Sequence, residues 1–278
     1  MGRLFQLELK NCLHRKEFKF IFLLMMLISI GSFLFSCFYK WGGNQYGGSL
    51  LYVRSAYEMS IIQGTGGLII SALCFLLPLF AVLIYSDTYY SDSQSGVYKS
   101  ILTRTDPKVF LWTKSLVISV VTFFTFFIPL LINQLLCLIA FPTQGFDNNQ
   151  GLPPYDIGIQ NYSSEWMFDL VRLQSPFLYN LIYTTLISLA ATIFALFAYA
   201  AYFVVKKGKF AVISGVFLLY TVSQVGVFFV SHRLALVNLL IPNTGSVYVL
   251  ILWLALLLIP SILMIAIKSR NLEAGIEG

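Results

Sequence analysis

The residues able to do chemistry are few in this chain and stand apart from one another. Histidine occurs only as His14 and His232, and no HExxH stretch is present, so neither a histidine metal cluster nor a Ser–His relay can be assembled. No GxxxxGKS/T run offers a backbone cradle for nucleotide phosphates. Cys12, Cys37, Cys74 and Cys137 lie singly in or beside apolar stretches, none at metal or redox spacing, and read as small apolar packers. No catalytic residue, metal ligand or cofactor site of the chain's own is expected.

Two features remain. The first is a set of uncharged polar residues inside apolar runs, of which Asn133, Gln134 and Gln224 are the most costly to leave unpaired in lipid. Hydrogen bonding between helices is the plain reading of such groups. The sharper one is that these three line a path for an amphipathic or lipid-like substrate. The second feature is the polar stretch Ser86–Lys114, SDTYYSDSQSGVYKSILTRTDPKVFLWTK.

The elements that would position them follow from composition. Of the 278 residues, 58% are hydrophobic and 11% charged, against about 25% charged in a soluble domain. Mean hydropathy is +0.80. An all-α polytopic membrane protein, a single transmembrane domain over residues 1–278, is expected. At 1.5 Å rise per residue, about 20 apolar residues cross the hydrocarbon core. The apolar runs place six spans at about 18–39, 67–86, 115–141, 178–205, 210–231 and 246–267. Their middles carry no charge, which disfavours ion-driven transport and a charged channel filter. Pro78, Pro129 and Pro260 fall inside spans, where each frees a carbonyl and can bend a helix.

An even number of spans leaves both termini on one side. With that topology only Lys40, Arg54, Arg172 and Arg233, of 18 Lys and Arg, lie opposite the termini. The bias marks the terminal side as cytoplasmic and accounts for the net charge of +6 without a nucleic-acid partner. The first run is too long for the core of a cleaved signal peptide, about 7–15 residues, and is expected to stay as an anchor.

Residues 2–17 are too short to cross. Leu4, Leu7, Leu9 and Leu13 recur among Arg3, Lys10, Arg15 and Lys16, as in a helix lying on the membrane surface with basic residues toward anionic headgroups. Lys206–Lys209 forms a tight basic turn between spans four and five. Outer loops are expected at 40–66, where Arg54 and Glu58 are spaced to pair on a helix, and at 142–177. Within the latter, Glu165, Asp169 and Arg172 alternate with Trp166, Met167, Leu170 and Leu173 as in a short amphipathic helix. A further short outer or re-entrant helix is expected after the fifth span stops at His232-Arg233.

The stretch 86–114 reads as helix, sharp polar turn at Thr103–Pro107, helix. Its apolar members Val97, Tyr98, Ile101, Leu102, Phe110 and Trp112 among charges suggest a contact surface. Here the chain resembles the permease subunits of export-type (type-2) ABC transporters. In that family the loop between spans two and three tends to run acidic residue, Gly-Thr, a Leu-Leu-rich helix, a Thr/Ser–Pro turn with basic residues, then Gly-Lys. Gly96, Ile101-Leu102-Thr103-Arg104, Pro107 and Lys114 match in order. Asp92 and Gln94 stand where glutamates are common, Val97 where Thr is usual, and Thr113 in place of the Gly before the lysine.

The resemblance implies a coupling helix that docks on a separate ATPase subunit, carried by Ser95, Gly96, Val97, Tyr98, Ile101, Leu102, Thr103, Arg104 and Pro107. It implies ATP and Mg in that partner, a second permease copy or a paralogous permease, and a bacterial plasma membrane. The family's substrates include antimicrobial peptides, antibiotics and lipids. The alternatives are a stand-alone secondary transporter or channel, and a membrane accessory or sensor protein that transports nothing.

Overall fold

A computed structural model describes residues 2–41, 55–63, 67–96, 106–143, 166–205, 208–242 and 245–277. Among the described residues the regular structure is entirely helical. The elements are α1 (Gly2–His14), α2 (Lys16–Trp41), α3 (Gly67–Tyr85), α4 (Thr88–Gln94), α5 (Pro107–Ala140), α6 (Asp169–Gln174), α7 (Pro176–Ala201), α8 (Lys209–Val230), a 3-10 turn (His232–Leu234), α9 (Leu236–Leu239) and α10 (Val247–Glu277). Helices α2, α3, α5, α7, α8 and α10 are long and apolar enough to cross a membrane. The chain is thus a multi-pass helical protein. That architecture suits lipid, because a helix satisfies its own backbone hydrogen bonds where no water is available.

The bundle is organised around α7, which packs on α5, α10 and α3. Ala190, Ala191, Ala195 and Ala198 are fully buried along it. Small side chains let neighbouring backbones approach closely, and this is how helices associate when lipid tails are as apolar as the side chains. Bulky apolar residues lie outward at helical spacing, Phe20, Leu23 and Leu27 on α2, Leu218, Val222 and Phe229 on α8, and Leu252, Leu256 and Ile259 on α10. In water such stripes would be a liability, whereas in a bilayer they are the solvent-facing surface.

One boundary departs from the hydropathy reading. The third span was expected from residue 115, yet α5 begins at Pro107. Asp106 caps it by accepting a hydrogen bond from the Lys108 amide at 2.9 Å, and proline fills the first helical position, where no amide donor is needed. The extra two turns change the fate of their side chains. Phe110 and Leu111 are fully buried in the core, and Leu111 O accepts from the Tyr199 hydroxyl at 3.4 Å. They do not belong to an exposed contact surface, because the helix that carries them already lies against α7.

α1 also differs from its leucine pattern. Glu8 and Cys12 are buried, with Leu4, Phe5 and Leu9 packed on the core beside them, while Leu7 and Leu13 are exposed on another face together with Arg3 and Lys10. The inward stripe follows a four-residue spacing centred on an acid. At the opposite end of the bundle, the segment 55–63 between α2 and α3 forms successive turns, with Ser55, Ala56, Met59, Ser60, Ile61 and Ile62 all buried. Arg54 lies outside the described residues. Glu58 caps the local turn, accepting from the Ser55 amide at 3.2 Å.

Candidate functional site

The end of the bundle that holds α1, α4 and the start of α5 carries a connected set of charged side chains. Lys114, in the second turn of α5, is 1% exposed. Its ammonium donates to Glu8 Oε2 of α1 at 3.2 Å and to Thr88 Oγ1 at 2.7 Å, and it pairs with Asp92 of α4. The Phe110 ring covers it at 4.9 Å. Glu8 is also buried and takes a second hydrogen bond, from the Tyr85 hydroxyl at 2.8 Å. A buried charge without a partner costs several kcal/mol, so such a group persists only when its neighbours are arranged around it.

A second cluster adjoins the first through Tyr85, whose ring lies 4.6 Å beneath the Arg15 guanidinium. Arg15, in the link between α1 and α2, pairs with Asp87 at 2.6 Å. Asp87, in the link between α3 and α4, also receives Lys209 of α8 at 3.0 Å, and Lys209 reaches Glu17 of α2 at 3.0 Å. Burial works against the charge on Arg15, but the Asp87 carboxylate beside it prevails and holds its pKa above the usual value. The buried Cys12 thiol is pushed up to about 12, mainly by burial, which Arg15 offsets only in part.

The two clusters join α1, α2, α4, α5 and α8 at one end of the bundle. α4 enters the loop that separates it from α5, and α5 leaves that loop. Asp92 of α4 and Lys114 of α5 pair across its base. Aromatic packing adds to the clasp, with Tyr89 edge-on to Phe203 at 4.8 Å and Lys268 of α10 over the Tyr89 ring at 5.7 Å. The ends of α4 and α5 that flank this loop are therefore tied by direct ion pairs and aromatic contacts to α1 and to the ends of other spans.

The residues expected to dock a partner are distributed as follows. Ser95 and Gly96 are exposed just past the end of α4, where the Ser95 hydroxyl donates to Asp92 O at 3.2 Å. Gly96 has φ +73 with open space where a Cβ would stand, so its conformation alone favours glycine. Pro107 is buried as the first residue of α5. Val97, Tyr98, Ile101, Leu102, Thr103 and Arg104 lie outside the described residues.

The residues named for a substrate path sit at the far end or near it, and all three are buried. Asn133 donates to Ser29 O at 2.7 Å and accepts from the Ile61 amide at 2.8 Å. Gln134 donates to Phe177 O at 3.2 Å, and Gln224 accepts from the Val237 amide at 3.3 Å. In this conformation they brace the segment 55–63 and the start of α7 and α9. Asn180 of α7 does the same work. It donates to Tyr57 O and Ser60 Oγ, both at 3.0 Å, and accepts from Gln63 at 2.7 Å.

Asn180 and Glu8 are not among the residues the sequence singles out, while Asp87 and Lys209 are placed by it only at a loop start and in a basic turn, without their pairing. One signal was present for Glu8, an acid spaced four residues from both Leu4 and Cys12, on the face a helix would bury. No family model matches the chain, and comparison with curated proteins and with solved structures also gives no match.

Proposed function

We propose that this chain is the permease subunit of an ATP-driven ABC exporter, working with separate ATPase subunits that bind ATP and Mg and with a second permease copy or a paralogue. Its setting is the bacterial plasma membrane, with both termini cytoplasmic and α1 lying along the headgroups. Its cargo is an amphipathic compound of the antimicrobial-peptide, antibiotic or lipid-like class. The observation that carries this reading is the Asp92–Lys114–Glu8 triad at the base of the loop between α4 and α5. A loop that receives mechanical work from a partner must be tied firmly to the helices it moves, and this one is tied on both sides. In the same reading the far end is closed by segment 55–63. Asn133 and Gln134 face a substrate only after that segment has withdrawn.

The test is to look for a Walker-motif ATPase in the adjacent reading frame and to co-purify it with this chain, using Gly96→Val, Leu102→Asp and Arg104→Glu. Loss of association and of permease-stimulated ATP hydrolysis is expected, with the fold unchanged by circular dichroism. Full association and stimulation in all three variants would refute the docking assignment.

A further inference from the structure

Three spans meet on the inner side of segment 55–63. Asn133 of α5 donates to Ser29 O of α2 and accepts from the Ile61 amide, while Asn180 of α7 donates to Ser60 Oγ, the neighbouring residue. These bonds fix which residues share the layer one helical turn, about 5.4 Å, deeper in the bundle. α5 brings Pro129, four residues before Asn133, and α7 brings Thr184, four residues after Asn180. Helical side chains tilt toward the N-terminus of their own helix, so Ser29 leans down into this layer and Thr184 leans up from it. Ser29 and Thr184 are both fully buried.

Three oxygens here lack a bond they would ordinarily make. Pro129 has no amide hydrogen, so the Thr125 carbonyl loses its helical donor. The Ser29 and Thr184 hydroxyls have no hydrogen-bond partner among the described residues. A serine or threonine inside a helix has a local acceptor, the carbonyl four residues earlier. Thr125, Ser188, Thr192 and Ser261 all use it, at 2.6–2.8 Å. Ser29 and Thr184 forgo it, although an unmet hydroxyl is costly where nothing else is polar. The occupant that would satisfy them is neutral, because α2 has no charged residue between Lys19 and Lys40, α5 none after Lys114, and α7 none at all. It must also donate and accept, since a carbonyl can only accept. A buried water, which typically makes about three hydrogen bonds, meets both conditions.

We propose that this layer is a binding site for ordered water, which donates to Thr125 O in place of the amide Pro129 lacks and bonds the Ser29 and Thr184 hydroxyls. The far end of the bundle then rests on a wet layer enclosed between α2, α5 and α7. The site stands whatever the bundle carries, and its failure would leave the exporter reading untouched.

The test uses the full chain in lipid nanodiscs, with oxidative footprinting read by mass spectrometry. X-rays form hydroxyl radicals from water wherever it stands, whereas photolysed peroxide forms them in bulk solvent. The reporter is Met25, fully buried one turn below Ser29 on the same face of α2. The control is Cys74 of α3, equally buried, whose carbonyl accepts from the Tyr220 hydroxyl. With rates taken relative to the unfolded chain, X-rays should oxidise Met25 faster than Cys74, and peroxide should oxidise neither. Equal X-ray rates, or peroxide oxidation of Met25, would overturn an enclosed water. Thr184→Val keeps the shape and removes the hydroxyl, so its sign separates a wet layer from a dry one. With water present it should weaken the folding equilibrium about threefold, the loss of one hydrogen bond between membrane helices, and slow Met25 oxidation. A gain in stability would overturn the site, since removing an unmet hydroxyl from a dry core is favourable. Pro129→Ala returns an amide to Thr125 O and should also slow Met25 oxidation. Unchanged oxidation in both variants would overturn the assignment of partners. If either variant does not fold, the footprint of the unaltered chain still decides.

Discussion

The two ends of the bundle are held together by different chemistry. At the charged end, α1, α2, α4, α5 and α8 are joined by ion pairs through Glu8, Lys114, Asp92, Arg15, Asp87, Lys209 and Glu17. At the far end, segment 55–63 is held by neutral amides and hydroxyls, chiefly Asn133, Asn180, Gln63 and Ser36. A neutral hydrogen bond between membrane helices contributes about 0.6 kcal/mol, with a maximum near 1.7. Removing one partner of a buried ion pair costs about 3–5 kcal/mol. The charged end is therefore held by the stronger ties, and the far end by weaker ones that can be lost singly. The exporter reading proposed above, driven from one end and opening at the other, would use that asymmetry.

The comparison breaks first if the charged end proves weak. Lys114→Met strands Glu8 and should cost about 3–5 kcal/mol in reversible unfolding from mixed micelles. Replacing Glu8 by Leu and Asp92 by Asn in the same chain should restore most of that loss, because an apolar or neutral set needs no counter-charge. At the far end, Asn180→Leu removes three hydrogen bonds and should cost about 1–2 kcal/mol. Hydrogen exchange should quicken across 55–63 while α1 stays protected. Equal losses in the two variants would erase the distinction.

Within the charged end the clusters differ too. Arg15 and Lys209 are roughly a quarter exposed while Asp87 is buried between them, so Asp87→Asn should cost less than losing Lys114, about 1–3 kcal/mol. That cost should fade as ionic strength approaches about 1 M, whereas the cost of losing Lys114 should not. The smallest effect is a change in the reactivity of one thiol. With its thiol held up to about 12, Cys12 should resist maleimide at about pH 8, where a free thiol of pKa about 8.5 reacts readily. Lys114→Met, by releasing α1, should make it react. Fast labelling in the unaltered protein would mean that α1 is not docked.

The spans were legible because a run of apolar residues long enough to cross a bilayer has few other fates. Hydropathy placed the third span at 115, since the apolar run proper starts at Leu116, but the helix-start signal in Asp106-Pro107 carries α5 two turns further. Lys114 was legible as the lysine that closes the loop pattern, but not its buried pairing, because its partners are remote, Asp92 22 residues away and Glu8 106. Ser55, Ser60 and Gln63 gave 55–63 the look of a loop. Its burial depends on Asn133 and Asn180, 72 and 117 or more residues distant, which supply the bonds a turn lacks in itself. Local pattern carries the helices, and pairings between residues 22 to 192 apart carry the site.

The distance from Glu8 to Lys114 also sets a timetable. A ribosome adds about 5–20 residues per second, so the 106 residues between them take roughly 5–20 s to appear. Throughout that interval Glu8 has no ammonium to face, and the first helix of the chain has no seat. Its contact with Lys114 can form only when the third span arrives, after the first two have been made. A nascent chain arrested before Lys114 should leave Cys12 open to maleimide, and one arrested after the third span has entered should hide it. Helix α1 is then locked only once α5, made after two intervening spans, has arrived.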